Sequence, residues 1–472
     1  MLVATPAVLV VMPRTCRVIT FFISMVKGTP FMSTVQRTPA EQRYRRDRAT
    51  STVAATGAMM TASTTVAMSF LVVPGAAHFG VSTAQFLLYF SLFILTSAVM
   101  FSFAGRIINR YGVKLVLTLG GAISAIAWVG MAFSPNIYVF YVFYVIAIVM
   151  GIGASGNNLL PANTLITGWH VHKRRGTVLG IVATGSPFGG VLIGLVFPSI
   201  ITAGGFVAGA LGIAVMITIC SVLPGIFLAK NPPRSAENAE ESLETATKAD
   251  RKAAIKGFGG VAVLLAIGSF LFSMEGAFPS VQAAVYNSFG IDLATAGMMV
   301  AFYSLCGIVA KPILGFMHDK LGMKALFIIL VIMYIFGLPA LALSLQLGIN
   351  AIIPLLAISA LSLSVPTVII PLIAVNSVGK ERFPVIYGFM LSGMFAGLAL
   401  GVPAWGVAFD LSGDYTAAMY GGALAGLFGL LLVWIGMRRG LRRRAAINEP
   451  ITAGIALPDE ESDADAELAS IK

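Results

Sequence analysis

Twelve apolar runs separated by short polar turns constrain this chain more than any other feature. A helix needs about 20 apolar residues to cross the hydrocarbon core of a bilayer. Only 11% of the 472 residues are charged, against roughly a quarter in soluble globular chains. The sequence therefore predicts an all-α integral membrane protein with twelve transmembrane helices. The runs lie at about 52–74, 84–105, 115–133, 137–163, 177–202 and 207–229, then at 257–279, 293–315, 325–346, 350–375, 385–409 and 416–437.

The turns and tails divide the chain into two similar halves. We expect a 1–50 N-terminal tail, a 51–229 six-helix half, a 230–256 linker, a 257–437 six-helix half and a 438–472 C-terminal tail. The apolar run in the first tail has about nine residues, too few to span a bilayer. Met32 is a plausible start of translation, which would make residues 1–31 an annotation artefact.

The positive charges predict how the chain crosses the membrane. Beyond the N-terminal tail, Lys and Arg occur in the linker, in the C-terminal tail and in alternate turns, with Lys311 the one exception. Cytoplasmic loops of membrane proteins collect these residues. We therefore expect both termini and the linker in the cytoplasm, in a plasma (bacterial inner) membrane. The net charge of +11 consequently does not indicate a nucleic-acid partner.

The two halves are sequence repeats. A charged turn at 105–114 returns 210 positions later at 315–324, and Phe79-Gly80-Val81-Ser82 returns as Phe289-Gly290-Ile291-Asp292. Ser82 and Asp292 each stand where an N-cap of the following helix is expected. Three glycines of the fifth run, at 180, 185 and 189, return at 388, 393 and 397. Because both repeats share one orientation, an axis along the membrane normal should relate them, and the glycines should allow close helix packing.

The charged turn resembles the signature that follows the second span in the major facilitator superfamily. The resemblance covers about residues 50–440 and implies a secondary transporter whose halves rock around a central site. The turn would form contacts that hold one state and break in the other. Asn109 stands where the first pattern has Asp, so we expect a weaker contact there than at Asp319. The residues concerned are Gly105, Arg106, Asn109, Arg110, Gly112 and Lys114, and Gly315, Asp319, Lys320, Gly322 and Lys324.

Within that superfamily, three stretches resemble the monocarboxylate porters and their oxalate–formate relatives, one of them the Gly-rich end of the fourth run. The first is Lys173-Arg174-Arg175 followed by Gly180 and Gly185-Ser186-Pro187. The second, Lys311-Pro312-x-x-Gly315, is similar to the eighth span of those porters, where an Arg binds substrate. Here Lys replaces Arg, so a single point charge stands where Arg could form two hydrogen bonds with a carboxylate. The acidic, Trp-containing signature of the porters' first span is absent.

Lys311 is the strongest candidate for binding substrate. A cation at membrane depth costs roughly 2.5–3.5 kcal/mol on insertion scales, so it should face a wet cavity or an anion. Ser304 and the small residues Gly307, Val300 and Gly297 share its helical face and should leave room for a path. Alternatively, Lys311 extends to the membrane interface while its stem stays in the hydrocarbon.

Glu275 is the one carboxylate well inside a predicted span. It is a candidate proton-coupling site, because burial disfavours the charged form. The alternative is a carboxylate at a wet external mouth. Its predicted depth differs from that of Lys311, so we expect no direct ion pair between them.

Four polar residues could add to a substrate cavity: Asn157 and Asn158 in the fourth run, and Thr61 and Thr65 in the first. Thr in membrane helices often bonds its own backbone instead. The sequence contains no recognisable catalytic set, no P-loop for ATP and no metal-ligand spacing. We therefore expect no enzyme activity, no cofactor and no resident metal.

These features predict a secondary transporter of a small organic anion, a mono- or dicarboxylate. Moving one charge against the membrane potential costs roughly 2.3 kcal/mol per 100 mV, so uptake should be coupled to protons or to exchange of another anion. The alternative is a proton-driven efflux antiporter for drugs or cations, which Lys311 argues against. A second alternative is a membrane receptor or signalling protein without transport activity, but nothing in the sequence resembles a sensor domain. Fold alone cannot decide function.

Overall fold

The computed structural model describes residues 39–150, 159–169, 178, 181–232, 258–347 and 352–446. The chain divides into two units, Met1–Arg46 and Asp47–Lys472. In the described part seven helices are long and apolar enough to cross a membrane, or eight if one bent pair is a single span. Shorter apolar helices supply the remaining runs. Together, the described helices and helix pieces fall on the twelve predicted runs.

The first half contains helices α1 to α6. Two helices are broken, α1 by a 3₁₀ turn and α6 by a π turn, and α4 is described in two parts on either side of residues 151–158. Helices α5 and α6 are divided at Gly204 and Gly205, where the backbone is not helical. The bounds are Pro39–Met60 with Thr61–Ser63 and Thr64–Phe79 (α1), Thr83–Tyr111 (α2), Val113–Ala132 (α3), Ile137–Met150 and Leu159–Trp169 (α4), Gly185–Ile217 (α5 and the start of α6), and Thr218–Val222 and Leu223–Phe227 (the rest of α6).

The second half contains helices α7 to α12. Helices α8 and α9 are divided at Gly322, and α10 and α11 at Gly379, each a glycine with positive φ. The bounds are Gly259–Ser273 with Glu275–Ala277 and Phe278–Ser288 (α7), Leu293–Phe336 (α8 and the start of α9), Leu338–Leu347 (the rest of α9), Ile352–Ser359 with Ala360–Ser364 and Val365–Ile369 (α10), Ile370–Ser412 (the end of α10, then α11), and Thr416–Ala446 (α12).

The repeated turns fold alike in the two halves. Gly112 and Gly322 of the charged turns have φ of 80° and 73°, a region that favours glycine. The predicted N-caps are confirmed. Ser82 Oγ accepts a hydrogen bond from the Gln85 N–H, and Asp292 Oδ1 accepts from the N–H groups of Ala294 and Thr295. Hydrogen bonds from Thr295 hold the pKa of Asp292 below its ordinary value.

The repeated glycines pack the same pair of helices in each half. In the first, a Cβ placed on Gly185 would lie 2.6 Å from Thr56 O, on α1. In the second, a Cβ on Gly393 would collide with Ala266 O, and one on Gly397 with Phe270 O, both on α7. Helix α5 therefore packs on α1 as α11 packs on α7, which confirms the expected role of these glycines in close packing.

The buried apolar residues form three clusters whose arrangement defines the state of the protein. We call the end with the charged turns at 105–114 and 315–324 the basic end, and the other the opposite end. The cluster toward the opposite end joins both halves, from Phe70 and Phe206 in the first to Phe278 and Trp405 in the second. Toward the basic end each half has a separate cluster, around Leu165 in the first and Ile373 in the second. In the described part, the buried apolar core is therefore continuous between the halves at the opposite end and separate in each half at the basic end.

Three helix pairs join the halves, namely α1 with α7, α5 with α8 and α2 with α11. Helix α5 approaches α8 where a Cβ on Gly194 would lie 2.5 Å from Gly297 O. Helix α2 packs along α11, and Ser91 Oγ donates to Ala399 O at 2.5 Å. At the opposite end of this pair, the Asp410 carboxylate accepts from the N–H groups of Thr83 and Ala84, at 3.0 and 2.9 Å. Asp410 thereby binds the positive N-terminus of α2 across the interface between the halves.

The helices extend beyond the predicted runs at both ends of the chain. The predicted 1–50 tail already contains the start of α1 from Pro39, because Pro fits the first helical turn and the following Glu, Gln and Arg favour a helix. In the predicted 438–472 tail, α12 continues to Ala446. Arg444 there is only 6% exposed, since its guanidinium donates to Asn376 O at 3.3 Å.

The predicted linker begins with residues fixed to the first half. Asn231 Oδ1 accepts from the Lys114 N–H at 3.0 Å. Lys230 O accepts from Trp169 Nε1 at 2.9 Å, and the Lys230 N–H donates to Ser51 Oγ at 3.1 Å. These bonds tie the end of α6 to α1, α3 and α4. The rest of the predicted linker lies outside the described residues.

Candidate functional site

Glu275 lies where α7 bends. The two helical parts of α7 meet at 44°, and the 3₁₀ turn Glu275–Ala277 joins them. The Pro at position 279 follows within the next turn, and Pro in a helix removes a backbone hydrogen bond. Glu275 is only 2% exposed, and its Oε2 has no hydrogen-bond partner among the described residues. A buried carboxyl group without a partner is costly to ionise.

The Glu275 side chain lines a cavity of about 120 Å³ within the second half. The walls come from α7, α9, α10 and α11, and α10 is itself broken by a 3₁₀ turn and a π turn at this level. Three hydroxyl-bearing residues share the cavity with Glu275. They are Ser273, Tyr334 and Ser362.

The hydroxyl hydrogens of this cavity are already engaged. Ser273 Oγ donates to Phe270 O and lies 2.9 Å from Met394 O. Tyr334 Oη donates to Phe272 O at 2.8 Å, and Ser362 Oγ shares a hydrogen bond of 2.9 Å with Tyr303 Oη. Toward the cavity, Ser273 and Tyr334 therefore present oxygen lone pairs beside the carboxyl group.

Lys311 lies on the side of α8 that faces the first half. Residues spaced by seven share one side of a helix. On this side Gly297 meets Gly194 of α5, and a Cβ on Gly190 of α5 would lie 2.5 Å from Ser304 Oγ. Lys311 is the next position on this side toward the basic end, where the two halves have separate cores. It is half-buried, and it has no ion pair or hydrogen bond with a described residue.

The expected open path along this side of α8 is wrong. Gly297 packs against Gly194 and Pro198, and Gly307 packs against Leu363 of α10. Ser304 is 3% exposed because it fills the contact with α5. The small residues are used for helix packing, and only Lys311 lies beyond that packed stretch.

The other predicted cavity residues differ in their surroundings. Thr61 is fully buried and donates to Ala58 O at 2.7 Å, and Thr65 Oγ1 donates to Ala62 O at 3.3 Å. Both therefore bond the backbone of their own helix. Asn157 and Asn158 lie outside the described residues. No ion pair joins Glu275 to Lys311, as expected from their depths.

The charged turns are described in part. The side chains of Arg106, Asn109 and Asp319 are outside the described set. Arg110 lies 5.5 Å from the Tyr111 ring, and Lys320 Nζ lies 4.6 Å from the Phe316 ring. Neither cation forms an ion pair with a described side chain. The role of these turns in holding one state stays a prediction.

The sequence did not indicate the hydroxyl groups around Glu275 or the capping role of Asp410. The prolines at 279 and 366 marked backbone breaks on both sides of the cavity, and breaks in membrane helices often border ion sites. No comparable signal marked Ser273 or Tyr334, because their place beside Glu275 depends on how α7 and α9 pack.

The fold and the sequence identify the class of protein. The family model of the Major Facilitator Superfamily matches residues 51–275 and 263–459, so that each half carries a match. The chain belongs to the Major Facilitator Superfamily. It is thus a multi-pass membrane transporter of all-α fold and not an enzyme.

Curated relatives match at low identity. Monocarboxylate transporter 14 of Homo sapiens is 33% identical over 91 residues, 19% of this chain and 17% of that protein. A multi-drug resistance efflux pump PmrA homolog of Lactococcus lactis is 25% identical over 381 residues, 78% of this chain and 89% of that protein. The chain spans about half or less of the first curated relatives that it matches.

Solved structures share the fold. A bacterial homolog of the human lysosomal transporter Spinster, in an inward-facing and occupied conformation, matches with a TM-score of 0.62 at 14% identity. The match covers 89% of this chain and all of that one. A D-xylose-proton symporter also has a TM-score of 0.62, at 17% identity, over 81% of this chain and 96% of that one.

Proposed function

We propose that this transporter moves a small organic anion, a mono- or dicarboxylate, by alternating access. The observation that carries the proposal is Lys311, a half-buried cation on the side of α8 that faces the other half. Since no described residue neutralises it, an anion entering between the halves would supply the missing charge. The partial match to a monocarboxylate transporter supports the same substrate class.

The coupling follows from charge. Uptake of a lone monoanion into a negative interior costs roughly 2.3 kcal/mol per 100 mV. Proton symport removes this cost, and Glu275 is the proton-binding residue that we assign, because its buried side chain favours the neutral form. Exchange of one anion for another would remove the cost without Glu275.

We further propose that the basic end faces the cytoplasm of a bacterial inner membrane, following the distribution of Lys and Arg. The domain bounds of 51–229 and 257–437, with a 230–256 linker, belong to the same proposal. In this orientation, the divided state of the structure is open to the cytoplasm. The charged turns would meet when the cytoplasmic side closes.

A second candidate is proton-driven efflux of drugs or cations. The match to the PmrA homolog favours it, since that match extends over most of both chains. Lys311 opposes it, because a cation facing the cleft repels a cationic substrate by Coulomb interaction. The cavity beside Glu275 is also smaller than the roughly 300–1,000 Å³ of ordinary drug-sized pockets.

The first test uses the charge of Lys311. Proteoliposomes with wild-type protein are given labelled carboxylates, with and without an inward proton gradient. We expect gradient-stimulated uptake of one acid by wild type and a loss of about 100-fold or more in Lys311→Ala, comparable to losing an ion-pair interaction of roughly 3 kcal/mol. Lys311→Arg should retain uptake, since it keeps the charge. If no acid moves, or if Lys311→Ala transports normally, the anion proposal is wrong.

Chemical rescue separates charge from folding. We expect Lys311→Cys, with the three native Cys replaced by Ser, to be inactive. A thiosulfonate reagent that attaches an aminoethyl group restores an ammonium at this position, so uptake should return. A methyl thiosulfonate of similar reactivity adds no charge and should not restore it. Equal recovery with both reagents would contradict the assigned role of the charge.

A further inference from the structure

The cavity beside Glu275 has the chemistry of a cation site. Its walls bring together one buried carboxyl group and the oxygens of Ser273, Tyr334 and Ser362. The hydroxyl hydrogens of Ser273 and Tyr334 are donated to backbone carbonyl oxygens, Phe270 O or Met394 O for Ser273 and Phe272 O for Tyr334. These hydroxyl oxygens keep their lone pairs, and Oε2 of Glu275 has no partner among the described residues. Oxygen acceptors without donors need a bound cation or a proton.

The charge of the cavity selects a monovalent ion. Among the lining residues Glu275 is the one acidic group, and Tyr334 and the nearby Tyr303 are the other titratable groups that face it. A monovalent cation and one carboxylate are together neutral, whereas a divalent cation would leave a buried positive charge. No group of three or more His, Cys, Asp and Glu able to hold a metal exists in the searched part of the chain. Soft transition metals, which prefer such ligands, are therefore disfavoured.

The size of the cavity points the same way. A water molecule occupies about 30 Å³ in the liquid, so the cavity of about 120 Å³ holds an ion with a few waters and excludes a drug-sized molecule. The two backbone breaks, in α7 and α10, meet at this cavity.

In the described part of the first half, the repeat partners of Ser273 and Glu275 bring no charge. Ser63 is the repeat partner of Ser273, and both donate to the carbonyl oxygen three residues earlier. The repeat partner of Glu275 is Thr65, which is neutral and bonds Ala62 O. The carboxylate was thus not required by the fold, since the first half builds the same bend region without it.

We propose that this cavity binds one sodium ion, with Glu275, Ser273, Ser362 and Tyr334 as its oxygen ligands. The inference rests on the proposed function and extends it by adding a second coupling cation at the residue assigned to the proton.

The test is equilibrium binding of ²²Na⁺ to the purified full-length protein at alkaline pH. We expect saturable binding of about one ion per chain, weakened at least about 100-fold in Glu275→Gln, as for removal of one member of a buried charge pair. Ser362→Ala keeps the carboxylate and should weaken binding about tenfold.

The matched control is Ser269→Ala. Ser269 is a fully buried serine on α7, one turn before Ser273, and it does not line the cavity. The Ser269→Ala variant should bind ²²Na⁺ as wild type does. If wild type shows no saturable ²²Na⁺ binding, or if Glu275→Gln and Ser362→Ala both bind ²²Na⁺ like wild type, the proposed sodium site is wrong. If Glu275→Gln fails to fold, the comparison of ²²Na⁺ binding between Ser362→Ala and Ser269→Ala decides, and equal binding by these two variants contradicts the proposed site.

This failure is distinguishable from failure of the proposed function. Carboxylate uptake driven by a proton gradient in sodium-free buffer depends on Lys311 and needs no sodium. Uptake without ²²Na⁺ binding would overturn the sodium site alone. Binding by a protein whose Lys311→Ala variant transports normally would support the site and overturn the anion proposal.

Discussion

Single residues decide how closely the helices of each half can approach. Gly393 and Gly388 lie on the same helix, α11, yet only Gly393 faces the backbone of α7. A Cβ on Gly393 would collide with Ala266 O, whereas a Cβ on Gly388 would meet nothing within 4 Å. The sequence grouped both glycines in one repeated pattern, and the packing separates them.

We therefore expect Gly393→Ala to lower the thermal unfolding midpoint by several degrees, because forced overpacking costs typically 1–3 kcal/mol. Gly388→Ala is the matched control and should leave the midpoint unchanged or slightly raised, since Ala favours a helix. Thermal unfolding of the purified protein in detergent measures both. Equal midpoints for the two variants would contradict the packing argument.

At the scale of helices, the contact between α2 and α11 controls which end is sealed. Asp410 on α11 binds the first N–H groups of α2, and the repeat partner of Asp410 is Thr202, which bonds Pro198 O instead. Of these two repeat-related positions at the opposite end, only Asp410 therefore forms a charged contact between the halves. Opening that end must break it.

Asp410→Asn should shift the equilibrium toward opening at the opposite end by about tenfold, since a hydrogen bond to a charged group contributes about 1.5–3 kcal/mol and the amide retains part of it. Spin labels at Pro135→Cys and Leu347→Cys, on different halves, would report the separation by electron spin resonance. We expect an enlarged population of long distances in Asp410→Asn.

The control for this prediction is Asp414→Asn. Asp414 lies in the turn after α11, and its carboxylate accepts from the Thr416 N–H within the same half. Its loss should leave the distance distribution as in wild type. A shift of equal size in both variants would mean that general loss of charge, and not the contact between halves, sets the equilibrium.

For the whole molecule, the buried apolar clusters are separate at the basic end and joined at the opposite end, as we expect for one state of the alternating access that we propose. We predict that this basic end is cytoplasmic. A membrane-impermeant maleimide applied to intact cells should label Pro135→Cys, at the opposite end, and should label Lys320→Cys only after the cells are permeabilised. The reverse pattern would invert the proposed orientation.

Much of this architecture followed from local sequence. Run lengths and hydropathy predicted the helices, because in a bilayer the backbone must satisfy its own hydrogen bonds. The repeat predicted the N-caps Ser82 and Asp292, since capping depends on a side chain and the two or three residues after it. Lys311 and Glu275 stood out because charge inside an apolar run is rare and costly.

Only the tertiary structure decided what surrounds those residues. It filled the expected path beside Lys311 with α5 and α10, gathered Ser273, Tyr334 and Ser362 around Glu275, and joined Asp410 to the start of α2. These contacts link positions from different helices, in the last case more than 300 residues apart. Periodicity within one helix cannot contain them, because they depend on the crossing and depth of neighbouring helices. The sequence by itself determined a two-half membrane transporter, and packing determined which of its polar groups meet.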